Sequence, residues 1–178
     1  GVAQLNELLR QRGVPVEVVS GAEVQLVEQL PQLAAAGWLP TLGAGRHLLI
    51  ELPLSSYATW AEQVLFELAL QGYVPVLAHF ERQAAAAVRT VDARTLVERG
   101  YKLQVNCESL RGRRGPQVAA LARRLIREGL AAALGSDAHN ATDQPPLLSP
   151  CRQAVERAGG RGAFARLSWE LPLQIILP

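Results

Sequence analysis

The chain contains no methionine and only two cysteines among its 178 residues. Cys107 and Cys151 are far apart in sequence and form no disulfide framework, which argues against a small secreted scaffold and favours a reducing, cytoplasmic location. The absence of methionine, together with a start at Gly1, leads us to expect that the printed sequence is not the complete natural chain.

Aromatic residues and net charge are also scarce. Aromatic residues make up 5% of the chain and the formal net charge is +2, so neither a base-stacking platform nor a strongly basic surface for nucleic acid is expected. No apolar run approaches the roughly 20 residues that span a bilayer, and no signal-peptide pattern opens the chain. We therefore expect no nucleic-acid partner and no membrane insertion.

Short apolar runs alternate with helical patterns along the whole chain. The runs at residues 14–19 (continuing to 23), 47–50, 74–78, 102–105 and 130–134 predict strands. Apolar spacing predicts helices at residues 2–12, 24–36, 59–71, 92–99, 117–127 and 151–158, and an apolar tail at 173–177 that packs on the body. Strands that alternate with helices in this way predict a single α/β domain over residues 1–178 with parallel pairing.

Polar side chains follow each apolar run. They are Glu23, Glu51, His79, Asn106 and Asp137 with His139. The carboxyl ends of parallel strands converge on one face of a closed barrel, or on a crevice of an open sheet, and both arrangements bring these groups together. Carboxylate and imidazole are ligands for Zn, Mn and Fe, and crowded carboxylates are stabilised by a cation. Taken singly, Glu51 is better explained as a plain strand terminator and His79 as a buried core histidine, but their recurrence at successive strand ends favours a shared site.

Arg82 follows His79 by three residues and adds a cation beside the same strand end. A guanidinium binds phosphate through a bidentate fork, so this combination suggests phosphate chemistry, although a plain surface arginine fits the same spacing. The sequence has no P-loop, no dinucleotide fingerprint and no nucleophile elbow, and His47 opens a strand and is interpreted as structural.

Five segments, taken in order, resemble a known family. The segments GAE (21–23), LIELP (49–53), AHFER (78–82), QVNCESLRG (104–112) and GSDAHN (135–140) resemble the PHP (polymerase and histidinol phosphatase) superfamily. The most similar branch is the CpsB/YwqE-like group of bacterial tyrosine-protein phosphatases encoded with capsular and exopolysaccharide genes. The resemblance extends over nearly the whole chain.

This resemblance implies a distorted (β/α)7 TIM-like barrel of PHP type with two or three divalent metals, usually Mn²⁺, with Fe or Zn as alternatives. It implies hydrolysis of phosphotyrosine by metal-activated water, with Glu23, Glu51, His79, Asp137 and His139 as metal ligands. Glu51, His139 and Arg82 would be the catalytic residues, with Glu51 a ligand or a proton-handling group and Arg82 holding the phosphate. The substrate would be a phosphotyrosine protein, such as the tail of a polysaccharide-assembly tyrosine kinase.

The chain also departs from the family pattern. The opening D-x-H-x-H and T-P-H segments would lie upstream of Gly1, so we expect a barrel without its first one or two βα units, and the exposed side would invite homo-oligomer formation. Phe80 replaces a usual proline, Gln144 replaces a usual arginine, and Glu170 with Leu171 and Pro172 replaces a usual Asn-Pro. Two further interpretations stay open: a PHP phosphoesterase for small substrates such as histidinol phosphate or nucleotides, and a catalytically degenerate barrel with a binding role.

Overall fold

The computed structural model describes residues 1–53, 59–86 and 92–177 as alternating helices and strands. The strands are β1 (Glu23–Gln25), β2 (His47–Glu51), β3 (Val74–Leu77), β4 (Lys102–Asn106) and β5 (Ala131–Gly135). The helices are α1 (Val2–Gln11), α2 (Leu30–Ala35), α3 (Thr59–Leu70), α4 (Phe80–Ala86), α5 (Ala93–Glu98), α6 (Cys107–Leu110), α7 (Pro116–Arg127), α8 (Arg152–Gly159), α9 (Ala163–Ala165) and α10 (Leu171–Ile176). A 3₁₀ turn (Ser149–Cys151) precedes α8, and a π-helical turn (Arg166–Glu170) links α9 to α10.

The five strands form one parallel sheet in the sequential order β1-β2-β3-β4-β5. Because parallel crossovers are right-handed, a sequential strand order places the connecting helices on the same side of the sheet. This outer face buries Leu48, Ile50, Leu77, Leu103 and Val105, which pack with the helices in the main hydrophobic core. The core therefore lies between the sheet and the helical layer.

The opposite, inner face of the sheet has a smaller apolar cluster. Val76 and Ala133 pack there against Ile175 of α10, with Leu42 and Leu49 beside them. The expected packing of the apolar tail is thus confirmed, since its Ile175 is buried. The remaining positions on the inner face can carry polar side chains, so reactive groups of the sheet would lie on this face.

The region before β2 differs from the sequence-based prediction. Residues 14–19 were expected to be a strand, but they pair with no strand of the sheet, and Val16 is 57% exposed. The backbone N–H and C=O of Val18 bond instead to the side-chain amide of Asn6 in α1, each at 2.8 Å. The backbone N–H and C=O of Val18 are thus already hydrogen-bonded to a side chain and are not available to a neighbouring strand. This explains why the β-branched run stays outside the sheet.

The predicted helix at residues 24–36 is also wrong in its first half. Val24 and Gln25 belong to β1, which pairs with β2, and the helix begins at Leu30. Pro31 lies in the first turn of α2 and does not break it, because a proline there loses no intrahelical hydrogen bond.

The remaining strands and the long helices were predicted correctly to within a few residues, and the α/β class with a parallel sheet is confirmed. The short helices α4 and α6 were missed because each follows a strand with almost no connection. Within the described residues the sheet is open, with β1 and β5 at its edges. None of the helices described is long and apolar enough to cross a membrane.

Candidate active site

His79 forms the centre of the site, just beyond the carboxyl end of β3. Its Nε2 lies 3.1 Å from Oε1 of Glu23 and 3.3 Å from Oε1 of Glu51. The imidazole is almost completely buried, whereas about a third of each carboxylate side chain is exposed. One potential ligand atom from each residue lies within 4.8 Å of the others, which is compact enough to hold a metal ion. The ring's Nδ1 has no hydrogen-bond partner in the described part of the chain.

The two carboxylates reach His79 from different positions in their strands. Glu51 ends β2, as predicted, but Glu23 opens β1 and does not follow it. The parallel register pairs Glu23 with Leu49, so the Glu23 side chain shares the inner face with Glu51 at a level two residues earlier. Sequence reasoning thus placed Glu23 at the right site for the wrong reason.

Two site residues have an unusual backbone conformation. His79 (φ 31°) and Asp137 (φ 54°) are the only non-glycine residues with positive φ in the described ranges. Such conformations cost about 1–3 kcal/mol each and persist where the surroundings impose them. At His79 the chain passes from β3 to α4 within two residues, and Arg82 N–H closes the turn on the His79 carbonyl at 2.9 Å. Both strained residues carry side chains that point to metal chemistry.

Asp137 is held by two donors. Its Oδ2 accepts a hydrogen bond from Asn106 Nδ2 at 3.0 Å and pairs with the guanidinium of Arg82 at 3.1 Å. The Asp137 side chain is only 12% exposed, so this ion pair lies largely out of water. Arg82, expected to face the site, does so from the first turns of α4.

Gln104 supports the site and was not among the predicted site residues. Its Oε1 accepts the backbone N–H of His79 at 2.7 Å, and its Nε2 donates to Asn106 Oδ1 at 2.7 Å. The buried amide therefore links the His79 backbone to the group that holds Asp137. A polar residue in the middle of the apolar run Leu103-Gln104-Val105 was the available signal.

A second buried polar residue supports the same strand end. Glu81 Oε1 accepts the backbone N–H of Asn106 at 3.1 Å, and Glu81 is fully buried. Burial raises the pKa of Glu81, and the bond donated by the Asn106 backbone opposes part of that rise because it favours the carboxylate. Phe80, which replaces the usual proline, is 1% exposed and packs in the main core, not in the site.

These groups surround one open cavity of about 570 Å³. It is lined by Glu23, Glu51, His79, Arg82, Arg114, Asp137, Ala138, His139 and Gln144. All five predicted metal-ligand candidates and Arg82 therefore face the same space. His139 lies at the rim with its side chain 67% exposed, and its Nδ1 approaches the carbonyl oxygen of Asp137 at 2.7 Å.

Gln144 and Arg114 complete the wall. The backbone carbonyl of Gln144 accepts the N–H of His139 at 3.0 Å, which folds the loop after Asp137 back on itself. Arg114 was not among the predicted site residues, because it belongs to an arginine-rich loop that carries no site signal of its own. The cavity thus combines carboxylates and imidazoles with two guanidinium groups.

The sequence of the chain matches a known family. A family model described as "Capsular polysaccharide synthesis, CpsB/CapC" matches residues 1–177. The chain belongs to the CpsB/CapC family. The resemblance to the CpsB/YwqE-like group is therefore confirmed.

Named relatives agree with this assignment. The chain is 35% identical over 137 residues to the tyrosine-protein phosphatase YwqE of Bacillus subtilis, covering 77% of this chain and 54% of YwqE. It is 29% identical over 150 residues to the putative tyrosine-protein phosphatase CapC of Staphylococcus aureus, covering 82% of this chain and 58% of CapC. The chain therefore spans somewhat more than half the length of these two relatives.

The fold has a solved counterpart. A chain from the crystal structures of YwqE from Bacillus subtilis and CpsB from Streptococcus pneumoniae superimposes with a TM-score of 0.83 at 30% identity. The match covers 98% of this chain and 70% of the other, and those two proteins are described as unique metal-dependent tyrosine phosphatases.

Proposed function

We propose that this chain carries the metal-dependent phosphatase site of a protein-tyrosine phosphatase. The observation that carries the proposal is the pairing of His79 Nε2 with two carboxylates on the wall of a cavity that also holds two arginines. Carboxylate and imidazole donors suit divalent transition metals, and guanidinium groups suit phosphate. The one cavity would therefore hold both the metal ions and the phosphoryl group of the substrate.

The residues present fit a metal centre. Glu23, Glu51 and His79 offer three N/O ligand atoms within 4.8 Å, and Asp137 and His139 line the same cavity. Glu23, Glu51, His79 and Asp137 would hold two or three divalent ions, with His139 either as a further ligand or, when its Nε2 is not coordinated, as a proton donor. The family resemblance implies Mn²⁺, and Fe or Zn suit the same donors. When bound, such ions lower the pKa of coordinated water and stabilise charge on phosphoryl oxygens.

The protein's own residues would position and move the remaining groups. Arg82 is fixed beside Asp137 and would hold the phosphoryl oxygens of the substrate. Glu51 is partly exposed and would accept the proton of the attacking water, whereas the exposed imidazole of His139 would return a proton to the tyrosine oxygen as it leaves. The network through Gln104 and Asn106 keeps His79 and Asp137 in place during this exchange.

The relatives guide the choice of substrate. YwqE and CpsB are named tyrosine-protein phosphatases, and the family description refers to capsular polysaccharide synthesis. A phosphotyrosine tail of a polysaccharide-assembly kinase is therefore the proposed substrate. The sequential parallel sheet also supports a place in the wall of a PHP-type TIM-like barrel, where active sites form at the carboxyl ends of the strands.

The test measures metal content and hydrolysis of a phosphotyrosine peptide by the full protein, with added Mn²⁺ and after chelation. We expect metal-dependent turnover that Glu23→Gln abolishes together with part of the bound metal. Glu7→Gln is the matched control, since Glu7 lies on α1, pairs with Arg10 and does not line the cavity. Wild-type protein that hydrolyses the peptide equally well after chelation would contradict the proposal.

Two alternatives have observations in their favour. The open cavity of about 570 Å³ would also admit a small phosphomonoester such as histidinol phosphate or a nucleotide. The neutral Gln144 on the cavity wall favours a binding role without turnover, because an uncharged amide adds little to phosphate binding. Faster turnover of small esters than of peptide would favour the first alternative, and metal binding without any turnover would favour the second.

A further inference from the structure

The cavity wall contains a guanidinium group without an assigned role. Arg82 is engaged by Asp137 at 3.1 Å, so part of its hydrogen-bonding capacity is already used within the site. Arg114 lines the same cavity and has neither an ion pair nor a hydrogen bond in the described part of the chain. An arginine that faces three carboxylates without pairing with any of them is available to a ligand.

The other two arginines beside Arg114 are paired with a carboxylate outside the cavity lining. Arg111 and Arg113 both pair with Glu108, each at 3.1 Å. These two guanidinium groups share the carboxylate of Glu108 in α6, whereas Arg114 lines the cavity. The three arginines of this loop are therefore not equivalent, although the sequence alone does not separate them.

The loop conformation is fixed by two glycines. Gly112 (φ 84°) and Gly115 (φ 96°) flank the Arg113-Arg114 pair, and both adopt a backbone conformation that residues with a Cβ rarely enter. Gly115 N–H bonds to the Gly112 carbonyl at 3.1 Å, which closes the turn directly before α7. This geometry fixes the Arg114 backbone at the cavity wall, so the side chain is directed to the cavity.

We propose that Arg114 binds a non-bridging oxygen of the substrate phosphoryl group, as a second guanidinium beside Arg82. This inference rests on the proposed function. The guanidinium fork matches phosphate oxygens, and charge-assisted hydrogen bonds of this type are about twice as strong as neutral ones. Metal ions held by the carboxylates would remove their competition for Arg114 and leave the phosphoryl group as its partner.

The test compares metal-loaded wild type with Arg114→Ala, Arg114→Lys and Arg113→Ala. Calorimetry with inorganic phosphate measures binding without turnover, and kinetics with a phosphotyrosine peptide and with para-nitrophenyl phosphate measure KM and kcat. Arg114→Ala should raise the phosphate Kd and both KM values about tenfold while kcat changes less, the pattern of a lost uniform binding contact. Arg114→Lys should recover part of this loss, and Arg113→Ala should stay within about twofold of wild type.

Salt provides a second readout. Arg114 is exposed, so the difference between wild type and Arg114→Ala should shrink as ionic strength rises and the Debye length falls to about 3 Å at 1 M. Metal content and the midpoint of denaturant unfolding should be unchanged, which separates lost binding from lost structure.

Three results would overturn the inference. The first is a phosphate Kd for Arg114→Ala within about twofold of wild type. The second is an equal effect of Arg113→Ala, which would indicate a general loss of positive charge. The third is a KM increase confined to peptides with acidic residues beside the phosphotyrosine, which would assign Arg114 to those residues. Tenfold weaker phosphate binding by Arg114→Ala in a protein that shows no turnover would support Arg114 while refuting the proposed function.

Discussion

At the two ends of the sheet's inner face, the residues in or directly beside the strands carry opposite charge, whereas the two arginines of the cavity come from α4 and from the loop before α7. At the carboxyl ends of the strands, the face presents Glu51 and Asp137 around the cavity. At the amino ends it presents Arg46, His47 and Lys102 around a separate cavity of about 370 Å³. We infer that the carboxylate-rich end suits cations and the basic end does not, because metal ligands are negative or neutral and closely grouped.

Each end also contains a histidine, and the two are in opposite electrostatic surroundings. His79 faces two carboxylates within 3.3 Å. His47 lies near Lys102 and Arg46, and its pKa is lowered by burial first and then by these two cations. The residue type alone therefore does not predict a metal site, whereas the charge of its neighbours does.

The largest expected effect on metal binding and activity comes from replacing each of these two histidines separately with glutamine. His79→Gln removes the buried ligand atom between the carboxylates, so phosphatase activity should fall at least about a thousandfold and metal content should drop. His47→Gln is the matched control and should retain both metal and activity. The measurement is metal analysis with peptide hydrolysis at saturating Mn²⁺. Equal losses in both variants would refute the distinction between the two ends.

An intermediate effect is expected from Gly135→Ala at the end of β5. A Cβ at this position would overlap the side-chain amide of Gln104, which holds the His79 backbone and Asn106. Displacement of this support should weaken metal affinity about 10–100-fold, as is typical for groups that orient metal ligands. Metal titration monitored by activity would measure this change.

The double variant tests the cause. If Gly135→Ala acts through Gln104, then combining it with Gln104→Ala should be no worse than Gln104→Ala alone, since the clash partner is gone. Additive losses in metal affinity would show that Gly135→Ala acts by another route.

How much of this was accessible from sequence depends on the region. The strands β2 to β5 are mainly apolar runs with a polar residue at or just after their end, so their positions were predicted, as were Glu51, His79 and Asp137 as site candidates. Residues 14–19 have the same apolar character but stay out of the sheet, because Asn6 bonds both backbone groups of Val18. A side-chain contact twelve residues away is invisible to a local pattern.

The site was predictable where a residue type and its position at a strand end together indicate one chemistry. Carboxylates and imidazoles beside a strand end indicate metal, but Gln104 and Arg114 have many roles in proteins and gave no specific signal. Their involvement depends on the sheet register, which aligns Gln104 with Ala133 on the inner face, and on the loop turn before α7. Both are properties of the folded chain.

The smallest expected effect concerns the basic end of the sheet. Lys102 lowers the pKa of His47 more than Arg46 does, although burial contributes most. Lys102→Gln should therefore raise the His47 pKa towards its ordinary value, Arg46→Gln should raise it less, and neither should restore it fully. An NMR titration of the imidazole Cε1 proton would measure all three values. A larger rise in Arg46→Gln would contradict this order.

The same shift has a consequence for stability. Because the pKa of His47 in the folded chain lies below the ordinary histidine value of 6.5, the unfolded chain binds a proton more readily as the pH falls below 6.5. The contribution of His47 to the free energy of unfolding is therefore intact above about pH 6.5 and is lost as the pH falls towards the folded pKa. Lys102→Gln brings the folded pKa of His47 closer to the unfolded pKa, so this variant should lose less stability on acidification than wild type. In His47→Gln no stability should be lost through protonation of residue 47. Acid unfolding curves of the three proteins that coincide would show that the basic end does not tune His47.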